Sequence, residues 1–228
     1  MVLLLVVKSN MNFITIDFSL NSPGICIFSK DKYYFIGYLK PGTGTKAEQK
    51  LQDELQLLED TRIEHQPDWT NNEAYSKSEM IKIQRHTQTA NDIINMVIEI
   101  TGEDPEVVVA FEGSSYGSSS GTNNIIDMAA GAAILKMELM SRLKVKDMMT
   151  IAPSTIKKHA GKGNMKKDEL WVKFLDNVLN DSVLETQSLL KYCKTHIGET
   201  KKVPKPLDDL VDAYFLNHLA RTLFYPEA

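Results

Sequence analysis

The sequence is poor in cysteine, with only Cys26 and Cys193 among 228 residues. The two cysteines lie far apart and form no C-x-x-C motif, which argues against a disulfide framework and against a structural zinc site. We therefore expect both thiols to be reduced.

The sequence also has no hydrophobic run that resembles a targeting or membrane segment. Residues 2–7 are apolar, but this run is far shorter than a signal sequence core or a membrane span, and Lys8 follows it directly. We expect a soluble, intracellular protein of the cytoplasm with no membrane partner. Residues 1–10 precede the first strand-like segment and are interpreted as a leader or a cloning remnant.

Positive charge is not in excess, because the net charge is −4. This excludes a generally basic protein that coats DNA. The charges are nevertheless segregated: residues 142–173 contain nine Lys/Arg and three Asp/Glu, whereas residues 46–106 contain six and fourteen. One part of the surface can therefore meet a phosphate backbone while another part repels it.

The chain is long enough for one globular domain, which we place at 11–228. Apolar, β-favouring runs predict a three-stranded meander at 13–16, 24–28 and 33–36, a central strand at 107–111 and a fifth strand at 148–151. Helical spacing covers 47–60, 77–100, 123–142, 166–179 and 207–223. The pattern predicts an α/β fold with a five-stranded mixed sheet flanked by helices, and a mostly helical insertion at 40–106.

Acidic residues stand at three separate places of this fold. Asp17 and Glu112 each end an apolar strand, and ligand sites in α/β proteins form beyond strand ends. Asp209 and Asp212 are three residues apart and share one face of the last helix. Taken singly, each acid is also explained as a turn residue or a helix cap, and capping is a strong alternative for Asp208.

A cluster of these acids would need a cation. Like charges about 4 Å apart repel by roughly 1 to 4 kcal/mol. Oxygen ligands without His or Cys favour Mg²⁺ or Mn²⁺ over zinc. Two such ions would activate a water and stabilise the leaving oxygen of a phosphodiester.

Two further segments are candidates for DNA contact. Five lysines surround Gly161-x-Gly163, where the backbone can approach a phosphate closely: Lys157, Lys158, Lys162, Lys166 and Lys167. Tyr116 lies in the Gly/Ser-rich stretch 113–121 and could stack on an unpaired base. The alternatives are a solvated lysine face and a flexible linker.

These motifs together resemble the RuvC-type Holliday junction resolvases of the RNase H superfamily. The resemblance rests on Ile14-Thr15-Ile16-Asp17 with Gly24, on Val109-Ala110-Phe111-Glu112, on Asp209-Leu210-Val211-Asp212-Ala213, and on Pro153 with Lys157, Gly161-x-Gly163 and Lys167. The sequence departs from bacterial members at Phe18-Ser19, where they commonly have Pro-Gly, and in the length of 40–106. The sequence therefore resembles a divergent member of this family, of viral or phage origin.

The resemblance implies an RNase H-like fold, a homodimer and paired nicks across a four-way DNA junction with two Mg²⁺ ions, for which Mn²⁺ substitutes. It assigns metal binding and catalysis to Asp17, Glu112, Asp209 and Asp212, and it places Lys157 and Lys167 near the scissile phosphate, with Lys167 taking part in catalysis. Two alternatives stay open. One is another RNase H-type nuclease, acting on RNA–DNA hybrids or in DNA packaging, and the other is a catalytically silent scaffold that binds nucleic acid.

Overall fold

The computed structural model describes residues 11–68, 75–113 and 122–225, and it describes the backbone alone at 75–78 and 122–124. These residues form six strands, eight α-helices and one π-helical turn. In chain order they are β1 (Asn12–Asp17), β2 (Gly24–Ser29), β3 (Lys32–Leu39), α1 (Lys46–Leu55), β4 (Thr61–His65), α2 (Tyr75–Thr101), β5 (Glu106–Glu112), α3 (Thr122–Arg142), β6 (Lys144–Ile151), α4 (Pro153–Ala160), α5 (Lys167–Leu175), α6 (Ser182–Thr186), α7 (Ser188–Tyr192), the π-helical turn (Cys193–Ile197) and α8 (Leu207–Phe224).

The six strands form one mixed sheet in the order β4-β3-β2-β1-β5-β6. Strands β1 to β3 are antiparallel, whereas β5 runs parallel to both β1 and β6, and β4 runs parallel to β3. The predicted α/β fold with a mixed sheet is confirmed. The predicted number of five strands is wrong, because β4 adds a sixth at one edge. Ile63 is the only apolar residue of β4, so this strand has neither an alternating nor a continuous apolar pattern.

Helices cover both faces of the sheet and enclose two cores. On one face, α2 and α3 pack on side chains such as Ile14, Ile16 and Val109. On the other face, α8 and the helices α4 to α7 pack on side chains such as Phe13 and Val108. Strand β5 is therefore buried on both faces, as its continuous apolar run predicted.

The segment 40–106, which the sequence predicts as an insertion, contributes to the sheet and to one of its helical layers. It supplies the edge strand β4, and α2 buries Ile93, Ile94 and Val97 completely against the sheet. Ile83, on the first turns of the same helix, is 57% exposed.

Two sequence expectations concern cysteines and membrane spans. Cys26 and Cys193 are both free and buried. Among the described residues, no helix combines the length and the apolar character needed to span a membrane.

Candidate metal centre and its basic rim

The ends of β1 and β5 bring two of the predicted acids together. The strands are parallel neighbours with Ile16 opposite Phe111, so Asp17 and Glu112 leave the sheet side by side. Two carboxylates from strands about 95 residues apart in the chain thus reach one edge of the sheet.

Helix α8 brings a third acid to the same carboxyl ends of β1 and β5. Thr15 Oγ1 donates a hydrogen bond to the carbonyl of Ala213 at 2.9 Å, and Asn217 Nδ2 donates to the carbonyl of Phe13 at 3.1 Å. Both bonds are buried, where an unpaired polar group costs roughly 1–3 kcal/mol, so they fix the helix along β1. Asp212, the neighbour of Ala213, is thereby held near Asp17.

A glycine allows the first turn of α8 to pack directly on the sheet. Gly24 is the partner of Asp17 in the pairing of β1 with β2. A Cβ atom at Gly24 would lie 2.3 Å from the backbone oxygen of Asp209. No other residue type fits there without a shift of the helix.

The three acids Asp17, Glu112 and Asp212 form a compact group. Each offers a carboxylate oxygen, and these oxygens lie within 4.8 Å of one another. Asp212 is only 13% exposed at its side chain. A donor set made of oxygens alone, at this spacing, fits a hard divalent ion such as Mg²⁺ or Mn²⁺.

Burial and mutual repulsion raise the pKa of each carboxyl group in this trio. The pKa of Asp17 lies well above its ordinary value, first because of burial and then because of the charges of Glu112 and Asp212. Burial and Asp212 raise the pKa of Glu112 to about 7. Burial raises the pKa of Asp212 to about 6, although Lys167 opposes the shift. The ionised trio is therefore unstable until a proton or a cation joins it.

The other two acids of α8 are placed differently. Asp209, a predicted metal ligand, stands outside the group of three and is engaged by Lys205, whose Nζ lies 2.6 Å from each of its carboxylate oxygens. Ser22 Oγ donates a further hydrogen bond to Asp209 at 2.9 Å. Asp208 accepts a hydrogen bond from Lys167 at 2.7 Å.

Two of the predicted DNA-contacting lysines, Lys157 and Lys167, carry charge that acts on the acidic group. Lys167, at the start of α5, has its Nζ 3.5 Å from carboxylate oxygens of both Asp209 and Asp212. Burial by itself would lower the pKa of Lys167, but the charges of Asp212 and Asp208 raise it, so the ammonium stays charged. The positive charge of Lys157 on α4 also reaches Glu112 and Asp212, since it lowers the pKa of both.

The remaining predicted lysines lie farther from the acids. Lys158 and Lys166 are exposed, and Lys162 forms an ion pair with Glu169 at 2.7 Å. In the turn between α4 and α5, Gly161 has a φ of 153°, a backbone conformation that favours glycine. These lysines form an exposed basic rim beside the carboxylates.

Sequence reasoning missed Lys205 and Ser22. Lys205 stands four residues before Asp209, a spacing at which side chains meet on a helix, but it precedes the first residue of α8 and is flanked by two prolines. Ser22 lies in the turn between β1 and β2 and carries no motif of its own. The predicted DNA contact Tyr116 lies outside the described residues.

We expect the metal-free protein to lose stability as the pH rises through 6 and 7. Glu112 has its pKa raised from 4.5 to about 7, and Asp212 from 3.8 to about 6, so the folded state holds these protons more tightly than the unfolded chain. The resulting stabilisation is complete below the unfolded pKa values and is lost as the pH passes the folded ones. At about 1.4 kcal/mol per pKa unit, each group contributes on the order of 3 kcal/mol.

Denaturant unfolding in EDTA at several pH values between about 5 and 8 measures this effect. Glu112→Gln cannot ionise, so its stability relative to the unmodified protein should increase with pH. Asp53→Asn, at an exposed position of α1, is the matched control and should follow the unmodified protein. Parallel pH profiles for the unmodified protein and Glu112→Gln would contradict the raised pKa.

Three solved structures resemble this chain at low sequence identity. Thermus thermophilus RuvC in complex with Holliday junction substrate has a TM-score of 0.46 at 12% identity, covering 95% of this chain and 94% of that chain. A second structure of Thermus thermophilus RuvC has a TM-score of 0.47 at 15% identity, covering 95% of both chains. The yeast mitochondrial Holliday junction resolvase Ydc2 has a TM-score of 0.52 at 10% identity, covering 95% of this chain and 81% of that chain.

No protein-family model and no curated protein sequence matches the chain. At 10% identity, the match to the yeast protein is one of backbone architecture. With its six-stranded mixed sheet between two helical layers, the chain has an RNase H-like fold, similar to that of the yeast mitochondrial resolvase.

Proposed function

We propose that this protein is a metal-dependent, structure-selective endodeoxyribonuclease that resolves Holliday junctions or other branched DNA. The observation that carries the proposal is the convergence of Asp17, Glu112 and Asp212 on one edge of an RNase H-like sheet. Such a buried, mutually repelling group has no evident structural use without a cation. The protein would act on DNA inside the cell, in recombination or repair.

Asp17, Glu112 and Asp212 would hold Mg²⁺, with Mn²⁺ as a substitute, and a second ion would also draw on Asp209. Bound ions of this kind supply a water of lowered pKa and compensate the charge of the oxygen that leaves the phosphorus.

The lysines would supply the contacts to DNA. Lys167 and Lys157 carry their charge next to the carboxylates and would hold the scissile phosphate there, with Lys167 acting in catalysis. The exposed Lys158, Lys162 and Lys166 would grip the backbone on either side, an attraction that weakens with salt. A role for Tyr116 at the junction centre stays a prediction from the sequence.

A branched substrate is favoured by the likeness in fold, since the yeast protein is a Holliday junction resolvase. The acidic segment 46–106 would repel DNA and the basic rim would attract it, so we expect DNA of any form to be contacted mainly at the basic rim.

We also propose that the protein works as a homodimer. Helix α3 carries an exposed apolar stripe that includes Ile126, Met137 and Met140, which are 60%, 70% and 65% exposed. Ala130 and Ala133 complete a spacing of four and three residues along this stripe, the repeat typical of paired helices. A two-fold pairing would give one active site for each strand to be nicked. The mass in solution tests this proposal, and a monomer would oppose it.

Two other functions share the same metal site or the same fold. An RNase H-type nuclease on RNA–DNA hybrids, or a nuclease of DNA packaging, would use the same carboxylates on a different substrate. A catalytically silent scaffold would bind nucleic acid without cutting it. The trio of acids disfavours the scaffold, because without a metal it only destabilises the fold.

One assay separates these functions. The protein is incubated with a labelled four-way junction, a linear duplex, a flap and an RNA–DNA hybrid, each with Mg²⁺ or with EDTA. We expect symmetric nicks in the junction that require Mg²⁺. Cleavage confined to the hybrid would favour the RNase H-type alternative, and binding without cleavage in either condition would favour the scaffold.

A further inference from the structure

Lys205 is tied into the site by its backbone N–H and by its ammonium group. Its backbone N–H donates to Glu48 Oε1 of α1 at 3.1 Å, which fixes the chain just before α8. Its ammonium lies 2.6 Å from each carboxylate oxygen of Asp209 and 3.1 Å from Asp208 Oδ2. The side chain is 34% exposed, so solvent and ligands can reach it.

This contact engages both carboxylate oxygens of Asp209. Both of its oxygens are taken by the ammonium of Lys205, and one also accepts the hydrogen bond of Ser22 at 2.9 Å. Asp209 is 5% exposed, so water offers it little else. Lone pairs remain on a carboxylate held in this way, but the positive charge of the ammonium offsets that of the carboxylate and opposes the approach of a metal cation.

The hydrogen-bond donors around Asp208 are distributed unevenly between its two carboxylate oxygens. Its Oδ2 receives both Lys167, at 2.7 Å, and Lys205, at 3.1 Å. Its Oδ1 is buried and has no hydrogen-bond partner among the described residues, and the residue is only 9% exposed. A buried acceptor left unpaired in this way is costly, and a cation arriving beside it would be stabilised.

Lys167 bridges the two halves of the site. Its Nζ is equally distant, at 3.5 Å, from carboxylate oxygens of Asp209 and Asp212. Asp209 is close enough for its charge to raise the pKa of Asp17 and Asp212. Asp209 is thus near the acidic trio while its carboxylate is engaged by Lys205.

We propose that Lys205 is a positioning residue that withholds Asp209, so that the DNA-free protein binds one divalent ion at Asp17, Glu112 and Asp212 and admits a second only when Lys205 releases Asp209. This inference rests on the proposed metal-dependent nuclease function. A DNA phosphate offers the ammonium of Lys205 an alternative acceptor of the same charge as Asp209. Assembly of the full metal site would then be coupled to the arrival of substrate.

Counting bound Mn²⁺ on the full chain without DNA tests the inference. Electron paramagnetic resonance measures free Mn²⁺ during a titration, and we expect one tight site in the unmodified protein. In Lys205→Met, which keeps the length of the side chain but not its charge, we expect a second site with an affinity at least about tenfold higher than in the unmodified protein. Lys205→Arg keeps the charge and should restore the single site.

Lys201→Met is the matched control, because it removes the same charge from an exposed position of the same segment. It should leave the single site unchanged. Thermal unfolding of each variant checks that the fold is intact. If Lys205→Met does not fold, the number of Mn²⁺ ions bound by the unmodified protein and by Lys205→Arg still tests the inference. Two Mn²⁺ ions bound with similar affinity by either protein would overturn it.

A Lys205→Met protein that binds Mn²⁺ like the unmodified protein would also overturn it, while leaving the nuclease proposal intact if junctions are still cut. A protein that binds no Mn²⁺ at all would refute the metal site itself and this inference with it. The two failures are therefore distinguishable.

Discussion

Asp17→Asn is expected to abolish cleavage of a four-way junction while leaving binding of the junction largely unchanged. The asparagine has nearly the same shape, but it removes the most deeply enclosed charge of the trio. Loss of a ligand that positions a divalent ion costs several kcal/mol of transition-state stabilisation. We therefore expect cleavage to be roughly 10³-fold slower or undetectable, since about 1.4 kcal/mol corresponds to a factor of ten. Glu112→Gln should behave alike.

Single-turnover cleavage and an equilibrium binding assay in Ca²⁺ or EDTA measure the two effects separately. Asp53→Asn again serves as the control with the same chemical change on an exposed surface. Thermal unfolding gives an independent reading: Asp17→Asn should be more stable than the unmodified protein in EDTA, because repulsion is relieved, and it should gain less from Mg²⁺. Preserved turnover in Asp17→Asn would count decisively against the site.

Gly24→Ala should damage both the fold and the metal site. The new Cβ would meet the backbone oxygen of Asp209 at 2.3 Å and its carbonyl carbon at 2.6 Å, and backbone atoms cannot step aside as a flexible side chain can. Overpacking of this kind costs about 1–3 kcal/mol. Because the displaced turn belongs to α8, Asp212 should move relative to Asp17, and we expect Mn²⁺ affinity to fall about tenfold or more with cleavage.

Gly113→Ala is the matched control at the same end of the sheet. A Cβ there would be 3.4 Å from the nearest atom, the backbone oxygen of Ile151, which is ordinary contact. Denaturant unfolding and Mn²⁺ titration of both variants make the comparison. Gly24→Ala with unchanged stability and unchanged Mn²⁺ affinity would show that α8 does not depend on this close approach.

Local patterns in the sequence were sufficient to predict most of the elements. The central strand β5 was evident from its continuous apolar run, and the meander from three β-favouring segments separated by turns. Strand β4 could not be predicted in this way, because a short edge strand with one apolar residue has no periodicity to detect. Helix α2 was predicted as a helix, but its packing against the sheet depends on residues elsewhere in the chain.

The candidate site also has a part that the sequence predicts and a part that depends on the tertiary structure. The sequence by itself determined which residues could serve, because an acid after an apolar strand and two acids three apart on a helix are local features. Only the tertiary structure decided between the two acids of α8: Asp212 joins Asp17 and Glu112, whereas Asp209 is held by Lys205 and Ser22. Spacing along the helix places both on one face, but which neighbours each one meets depends on how closely α8 approaches β2 at Gly24.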